Sequence, residues 1–467
     1  MQVQSMAQTE GVARGERVSE ASRARLIDAL DNAKLGAGHL VVAGICAYGL
    51  AVDLAEMVLG AALGAVFSSP PHRVDGAALA LLLAAPYLGG VLGAPLMGYW
   101  ADRFGRRTLL ALLLLALAGT SVFAALSRDV GALSFWRGAA GLALGAYPPI
   151  MFAYLADILP ARRRGGVLLA VSAVSTLGAP AIIFFVRALS GGELHLGLEG
   201  WRWGLALLGA LSLAACGAFL GLPESPRWLA ARGRLDDADA ALGKLAPRLA
   251  PTLRSEIAAD AEGARTAGAA PLALRAVAPL ASRAKTALAG LFFISPWATV
   301  AFPILSGAVL IQKGFDVSNS LLFVAAASFG PFFGSMGASF IVDHLGRRQT
   351  LAGSAGIMAA ATVLFQISNT PLMLISAGLA FTAAASVYVP TLSLYAAELF
   401  STEKRARASG ALWSVNRIGA ACAPLVLAAM LPTLGQSAVL TVIVGCLACG
   451  VAVLLAAPPG PARRSLT

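Results

Sequence analysis

Four charged side chains stand inside long apolar runs: Asp53, Glu56, Arg137 and Arg417. An ionisable group at membrane depth is costly to keep, so it marks a proton, ion or substrate pathway by default. A carboxylate there can take up and release a proton. A guanidinium can neutralise that carboxylate, or hold an anionic ligand through two parallel hydrogen bonds. Asp53 and Glu56 are three residues apart, on one face of any helix that carries them. Arg417 lies in Trp413-Ser-Val-Asn416-Arg417-Ile-Gly, with an indole and an amide close by. Tyr147, Trp297, Phe302 and Tyr388 also fall near the middle of apolar runs, where a ring can stack on a flat ligand. The alternative for each aromatic is helix packing. For Arg417 it is a carboxylate or carbonyl of another helix, and for the acids a purely structural ion pair.

The elements that must position these groups are membrane helices. Of 467 residues, 58% are hydrophobic and 13% charged, against about 25% charged in a soluble protein. Mean hydropathy is +0.76, so most of the chain must meet lipid or other helices. Apolar stretches of about 20 residues, enough to cross a bilayer, occur near 38–62, 77–100, 108–127, 130–155, 166–189, 201–222, 285–311, 319–342, 350–368, 371–396, 406–431 and 435–457. They lack the alternation of a barrel and are therefore expected to be helices, which satisfy their own backbones in lipid. The predicted organisation is an N-terminal segment 1–37, a six-helix half 38–222, a central loop 223–284, a second six-helix half 285–457 and a tail 458–467. Residues 21–35 form an amphipathic lead-in with Leu26, Ile27, Leu30 and Leu35 on one side, either lying on the membrane or solvated. In the central loop, charge alternation predicts short surface helices near 236–245 and 253–264.

The net charge of +11 sits in short clusters between apolar runs, a pattern of topology and not of nucleic-acid binding. Arg103/Arg106/Arg107, Arg162/Arg163/Arg164, Arg347/Arg348, Lys404/Arg405/Arg407 and Arg463/Arg464 fall on one side. Arg73, Arg128, Arg202 and Lys313 are scattered on the other. Positive-inside places both termini and the central loop in the cytoplasm of a cell inner membrane. The first 37 residues are polar and lack a short apolar core followed by a cleavage site, so they are not expected to act as a signal peptide. Five cysteines lie within apolar runs with no disulfide or zinc spacing, and four histidines form no cluster, so neither cofactor nor metal is expected.

The chain is duplicated. Asp102 and Asp343 are 241 residues apart, as are Gly105 and Gly346, and Arg107 and Arg348. Pro149, Tyr154, Asp157 and Arg164 answer at the same offset to Pro390, Tyr395, Glu398 and Arg405. Two motifs at one offset indicate a repeated half, and repeats in a membrane protein point to a transporter. The repeated charges, Asp102, Arg106, Arg107, Asp157, Arg164, Asp343, Arg347, Arg348, Glu398 and Arg405, stand at cytoplasmic helix ends. Paired across those ends they would latch the inner mouth. Each exposed pair is worth only ~0–1 kcal/mol, so such a latch can open in every cycle. Alternatively the arginines only set topology. The four interior charges have no counterpart at the offset and are therefore candidates for the substrate or proton. Asp53 lies about 9 residues and Arg137 about 7 residues from the outer ends of their spans, roughly 10–14 Å deep at about 1.5 Å per residue, and so could pair.

Asp102-Arg-Phe-Gly-Arg-Arg after span 2, its echo Asp343-His-Leu-Gly-Arg-Arg after span 8, Pro223-Glu-Ser-Pro-Arg-Trp-Leu after span 6, and Arg137-Gly-x-x-Gly141-x-x-x-Gly145 in span 4 resemble the major facilitator superfamily. Within it the chain is similar to the sugar-porter and organic-ion-transporter group. Asp53-x-x-Glu56 and Tyr395-x-x-Glu398-Leu-Phe are closest to bacterial metabolite:proton symporters that carry aromatic acids, nicotinate and similar carboxylates. The resemblance implies two six-helix bundles around a central cavity, working as a monomer by alternating access. It implies that Asp53 carries the proton with Arg137 as counter-charge, Glu56 sharing or substituting. It associates Arg417 with anionic substrates. Span 7 reads Phe292-Phe-Ile-Ser-Pro-Trp297-Ala-Thr-Val-Ala-Phe302 and lacks the glutamine pair and asparagine with which sugar porters hold a hexose. The expected function is proton symport of a small carboxylate, with Arg417, Asn416, Trp297, Tyr147, Tyr388 and Trp413 lining its site. A sugar or polyol symporter, a proton-driven efflux pump and a non-transporting membrane sensor are the rivals. A membrane enzyme is disfavoured by the lack of a nucleophile elbow, metal spacing or phosphate loop.

Overall fold

The computed structural model describes residues 28–190, 196–247, 282–399 and 402–456; within these, the side chains of 102, 282–284, 338–345, 397–398 and 402–410 are outside the description. The first half comprises α1 (Ala37–Ser68), α2 (Gly76–Phe104), α3 (Arg106–Ala125), α4 (Val130–Ile158), α5 (Ala161–Ala188) and α6 (Gly200–Leu220). The second comprises α7 (Lys285–Gln312), α8 (Val317–Ala327 continued as Gly330–Leu345), α9 (Arg347–Ile367) and α10 (Pro371–Leu399). Its last two helices, α11 and α12, are the arms of Thr402–Ala456, divided at Gly435, whose φ of 77° no helix contains. With that division the eleven long apolar helices make twelve spans, as the sequence predicts. The fold is an all-α membrane bundle of two pseudo-symmetric six-helix halves.

Aspartates cap three of the helices that begin on the arginine-poor face. Asp75 accepts from the Ala78 amide (2.7 Å), Asp129 from Ala132 (2.8 Å) and Asp316 from Asn319 (3.4 Å), satisfying donors the helix leaves free. Three spans are interrupted. α5 bends at Thr176–Leu177, α7 at Ser295 ahead of Pro296 and again at Val300, and α8 at Ser328–Phe329 ahead of Pro331. Proline lacks the amide that continues a helix, which explains the α7 and α8 breaks.

Within the first half, α2 and α4 meet backbone to backbone. A Cβ at Gly89 would strike the Gly138 carbonyl, and one at Gly141 the Pro86 carbonyl; at Gly145 it would lie 2.5 Å from the Gly90 Cα. The glycines of the Arg137-Gly-x-x-Gly141-x-x-x-Gly145 run thus serve close approach.

The two halves are tied on the arginine-poor side. Gly60 and Gly64 of α1 receive Ile304 of α7, Gly76 of α2 abuts Pro432 of α11, Phe184 faces Phe329, and Arg187 donates to the Ser318 carbonyl at 3.0 Å.

At the opposite, arginine-rich end, the loop helices Pro226–Ala231 and Leu235–Leu245 form a small core with Leu30, which is fully buried. The described part of the lead-in, from Asp28, is therefore docked on protein, neither spread on a membrane nor solvated. Leu26 and Ile27, and the helix expected at 253–264, lie outside the described residues.

Candidate functional site

The innermost ion pair is not the one that depth arithmetic suggested. Arg137 of α4 bonds Glu56, not Asp53. Its Nη1 lies 2.5 Å from Glu56 Oε2, and its Nη2 donates to the Glu56 carbonyl at 2.9 Å. Ser121 of α3 donates to the other carboxylate oxygen. Glu56 is fully buried and Arg137 only 1% exposed. The cluster joins α1, α3 and α4, and a carboxylate so engaged has each oxygen already taken.

Asp53, one turn earlier on α1, is buried yet makes no hydrogen bond or ion pair among the described residues; its Oδ1 has no donor. The charge it feels most is Arg417 of α11, across the boundary between halves. Arg417 is half-buried and likewise has no bonded partner among the described residues. Gly90 of α2 lies beside it: a Cβ there would sit in ordinary contact, 3.9 Å from Arg417 Nη1 and 3.5 Å from the Gly145 Cα. Tyr147 of α4 closes the same space. Its hydroxyl rests on Gly49, one turn from Asp53, and is buried without a partner. Trp297, at the α7 break, also keeps an unpartnered indole N–H. Asp53, Tyr147, Trp297 and Arg417 thus retain polar valence in the interior, and a ligand can use it.

Residues 61–466 match the family described as sugar (and other) transporter. The chain belongs to that family. It is a major facilitator transporter of the sugar-porter type. It is 26% identical over 356 residues to the arabinose-proton symporter of Bacillus subtilis (72% of this chain, 75% of that protein) and 24% identical over 368 residues to the niacin transporter NiaP of Acinetobacter baylyi (75% and 78%). Among solved structures it is similar to the xylose transporter XylE of Escherichia coli in a partially occluded inward-open conformation. The TM-score is 0.72 at 15% identity, covering 92% of this chain and all of the other, which speaks to the fold.

Other residues expected to line this transporter's site are committed elsewhere. Asn416 donates to the Phe292 carbonyl (3.0 Å) and to Ser295 Oγ (3.1 Å). Phe292 is four residues before Pro296, so its carbonyl is the acceptor that the missing proline amide leaves orphaned. Asn416 shares that acceptor with Ser295 Oγ (3.3 Å) and is a structural amide. Tyr388 is buried with its hydroxyl 3.9 Å from the Cβ position of Gly450 on α12, in a helix seam. Phe302 stacks on Phe381 at 3.9 Å inside the second half. Trp413 is partly exposed and meets Phe292 edge-on at 5.9 Å.

The repeated charges whose bonds are described pair within their own half or with the segment that precedes it. Arg106 pairs with Asp157. Arg107 donates to the Phe219 and Leu220 carbonyls at 3.2 and 3.0 Å. Its repeat Arg348 donates likewise to Leu454 and Leu455 at 2.6 and 3.0 Å, so each caps the last helix of its own half. Arg164 meets Asp31 at 2.7 Å. None of the bonds described here for Arg107, Arg164 and Arg348 crosses between the two halves. Arg347 stands at the start of α9. The side chains of Asp102, Asp343, Glu398 and Arg405 lie outside the described residues.

Residues that sequence reasoning left without a role complete the network. Glu224, from the Pro-Glu-Ser-Pro-Arg run, accepts from the amides of Arg106 and Arg107 at 3.1 and 3.0 Å and caps α3. Gly105, at φ 99°, leaves no room for a Cβ against that carboxylate. The Asp102–Arg107 and Pro223–Leu229 motifs, far apart in sequence, therefore form one joint. Ser225 donates to Asp157 at 2.7 Å, and Arg227 bonds both the Asp157 carbonyl and Asp31. The available signal was α3 itself, which begins after a glycine with no side chain able to cap it. Glu224→Ala is expected to cost about 1–2 kcal/mol, read as a lower unfolding midpoint in detergent, with Glu224→Gln retaining part of the loss. Unchanged stability in Glu224→Ala would remove the cap from the account.

Proposed function

We propose that this transporter carries a small organic anion, a carboxylate metabolite, together with a proton by alternating access. The observation that carries the reading is Arg417: a guanidinium in the interior with no bonded partner among the described residues. Such a group favours a ligand that brings a carboxylate and can be held bidentately. Trp297 and Tyr147 keep an unpartnered N–H and hydroxyl in the interior, with apolar ring surface for the rest of the molecule. The resemblance to the niacin transporter supports the same class.

A sugar is the second reading, favoured by the arabinose-proton symporter among the relatives. A sugar needs many free hydrogen-bonding groups. Here the polar side chains of α7 are largely spent on the helix: Ser295 on Phe292 and Asn416, Thr299 on the Ser295 carbonyl. That argues for the anion.

For the proton, α1 offers two carboxylates. Glu56 is engaged by Arg137 and Ser121, which leaves Asp53 as the group free to exchange. The arginine-rich end faces the cytoplasm of the inner membrane by the positive-inside rule. The ties between halves at the opposite end support an inward-facing state. The repeated charges fasten helix ends within each half, so the halves move as bodies, and on closure the same groups form the inner latch. One chain surrounds the site, so a monomer suffices.

The test is uptake by proteoliposomes under an inside-alkaline gradient, with benzoate, nicotinate and succinate beside arabinose and xylose. A carboxylate is expected to accumulate in wild type. Arg417→Ala is expected to lower its affinity about ten- to hundredfold, the worth of a charged hydrogen-bond pair. Accumulation of a pentose with indifference to every acid would sink the proposal.

A further inference from the structure

Of the four charges inside the spans, Glu56 and Arg137 satisfy each other, whereas Asp53 and Arg417 bond to nothing described. The unsatisfied pair is split between the halves, Asp53 on α1 and Arg417 on α11, and each lies in the electrostatic field of the other. The neighbourhood is otherwise poor in charge. Asp53 is faced by Glu56 on its own helix and Tyr147 on α4. Arg417 is faced by Tyr87 of α2, and Arg137 is occupied by Glu56. α5, α6, α7 and α8, also packed on α1, carry their acidic and basic residues only near their ends. A buried carboxylate without hydrogen bonds persists as an anion only while a cation stands by it.

We infer that Asp53 is the counter-ion of Arg417 in the empty site, and that a substrate carboxylate displaces it, so that each anion bound obliges Asp53 to take up one proton. The inference rests on the anion reading above and specifies its coupling. Charge decides it. Empty, the site holds one negative and one positive group and is neutral. An added anion leaves it with a net buried negative charge unless a proton arrives. That proton comes from water at the open face and bonds to a carboxyl oxygen of Asp53; nothing else is made or broken. When the anion leaves, Arg417 recovers Asp53 and the proton is expelled with it. Coupling is then a property of occupancy, at one proton per monocarboxylate. A neutral sugar would bind without displacing Asp53 and without taking up a proton.

The experiment is calorimetric titration of the purified full chain in nanodiscs with benzoate, at one pH, in two buffers of different ionisation enthalpy. Wild type is expected to take up about one proton per benzoate and to lose affinity roughly tenfold for each unit rise in pH. Asp53→Asn is expected to bind benzoate with no proton uptake and no pH dependence. An infrared difference spectrum of wild type should gain a protonated-carboxyl band when benzoate is added. This readout needs no variant to fold. Proton-free binding by wild type, no such band, or a full proton taken up by Asp53→Asn would each overturn the exchange. If benzoate, nicotinate and succinate all fail to bind wild type while xylose binds, the anion reading itself falls and takes the exchange with it.

Discussion

Arg137→Met is expected to destabilise this transporter by about 3–5 kcal/mol, because it strands the Glu56 carboxylate without its cation in a fully buried place. Ser121 alone remains to bond it. The double replacement Glu56→Gln with Arg137→Met removes both charges and should restore most of the loss, since a buried ion pair can often be exchanged for neutral groups at little cost. The measurement is the unfolding midpoint of the three proteins in one detergent. A single variant as stable as wild type would mean that the pair is not formed in the membrane. The same set separates structure from transport: the double variant should fold while the Asp53–Arg417 site remains intact.

The second large effect is steric. Gly141→Val puts a branched side chain where the Pro86 backbone already stands. Overpacking of side chains usually costs about 1–3 kcal/mol because neighbours shift. Backbone carbonyls of a second helix cannot rotate aside, so the loss should exceed ~4 kcal/mol, and little protein should reach the membrane as a monodisperse species. Gly98→Val is the control. It makes the same change on α2, where nothing lies within 4 Å of the new Cβ, and accumulation should match wild type. Equal levels for the two variants would refute the close α2–α4 seam.

The fold was legible because lipid demands it: a span of about 20 apolar residues cannot be hidden in composition. The repeat was legible for a similar reason, and the matched tasks of Arg107 and Arg348 bear out the 241-residue offset. The pairing at the centre was not. Asp53 and Glu56 differ by three residues, about 4.5 Å of rise, less than the error of any span end read from hydropathy. An arginine side chain reaches that far, so depth could not choose between them. Asn416 was beyond reach for another reason. The carbonyl that needs it is 124 residues away and becomes needy only when Pro296 is set in a helix. Glu224 has no task visible in sequence, because a helix start seeking an anion shows only when its own cap position proves to be Gly105.

Pro296 makes α7 a column with one rung missing, and the rung is supplied by a neighbour. The Phe292 carbonyl is held both by Ser295 of α7 and by Asn416, so the bend in α7 is set in part from α11. The next residue along α11 is Arg417. A pull on that guanidinium is transmitted through a single peptide unit to the amide that splints the bend. The joint and the proposed site are therefore neighbours along α11, and a ligand held at Arg417, as proposed, would bear on the angle of α7 through Asn416.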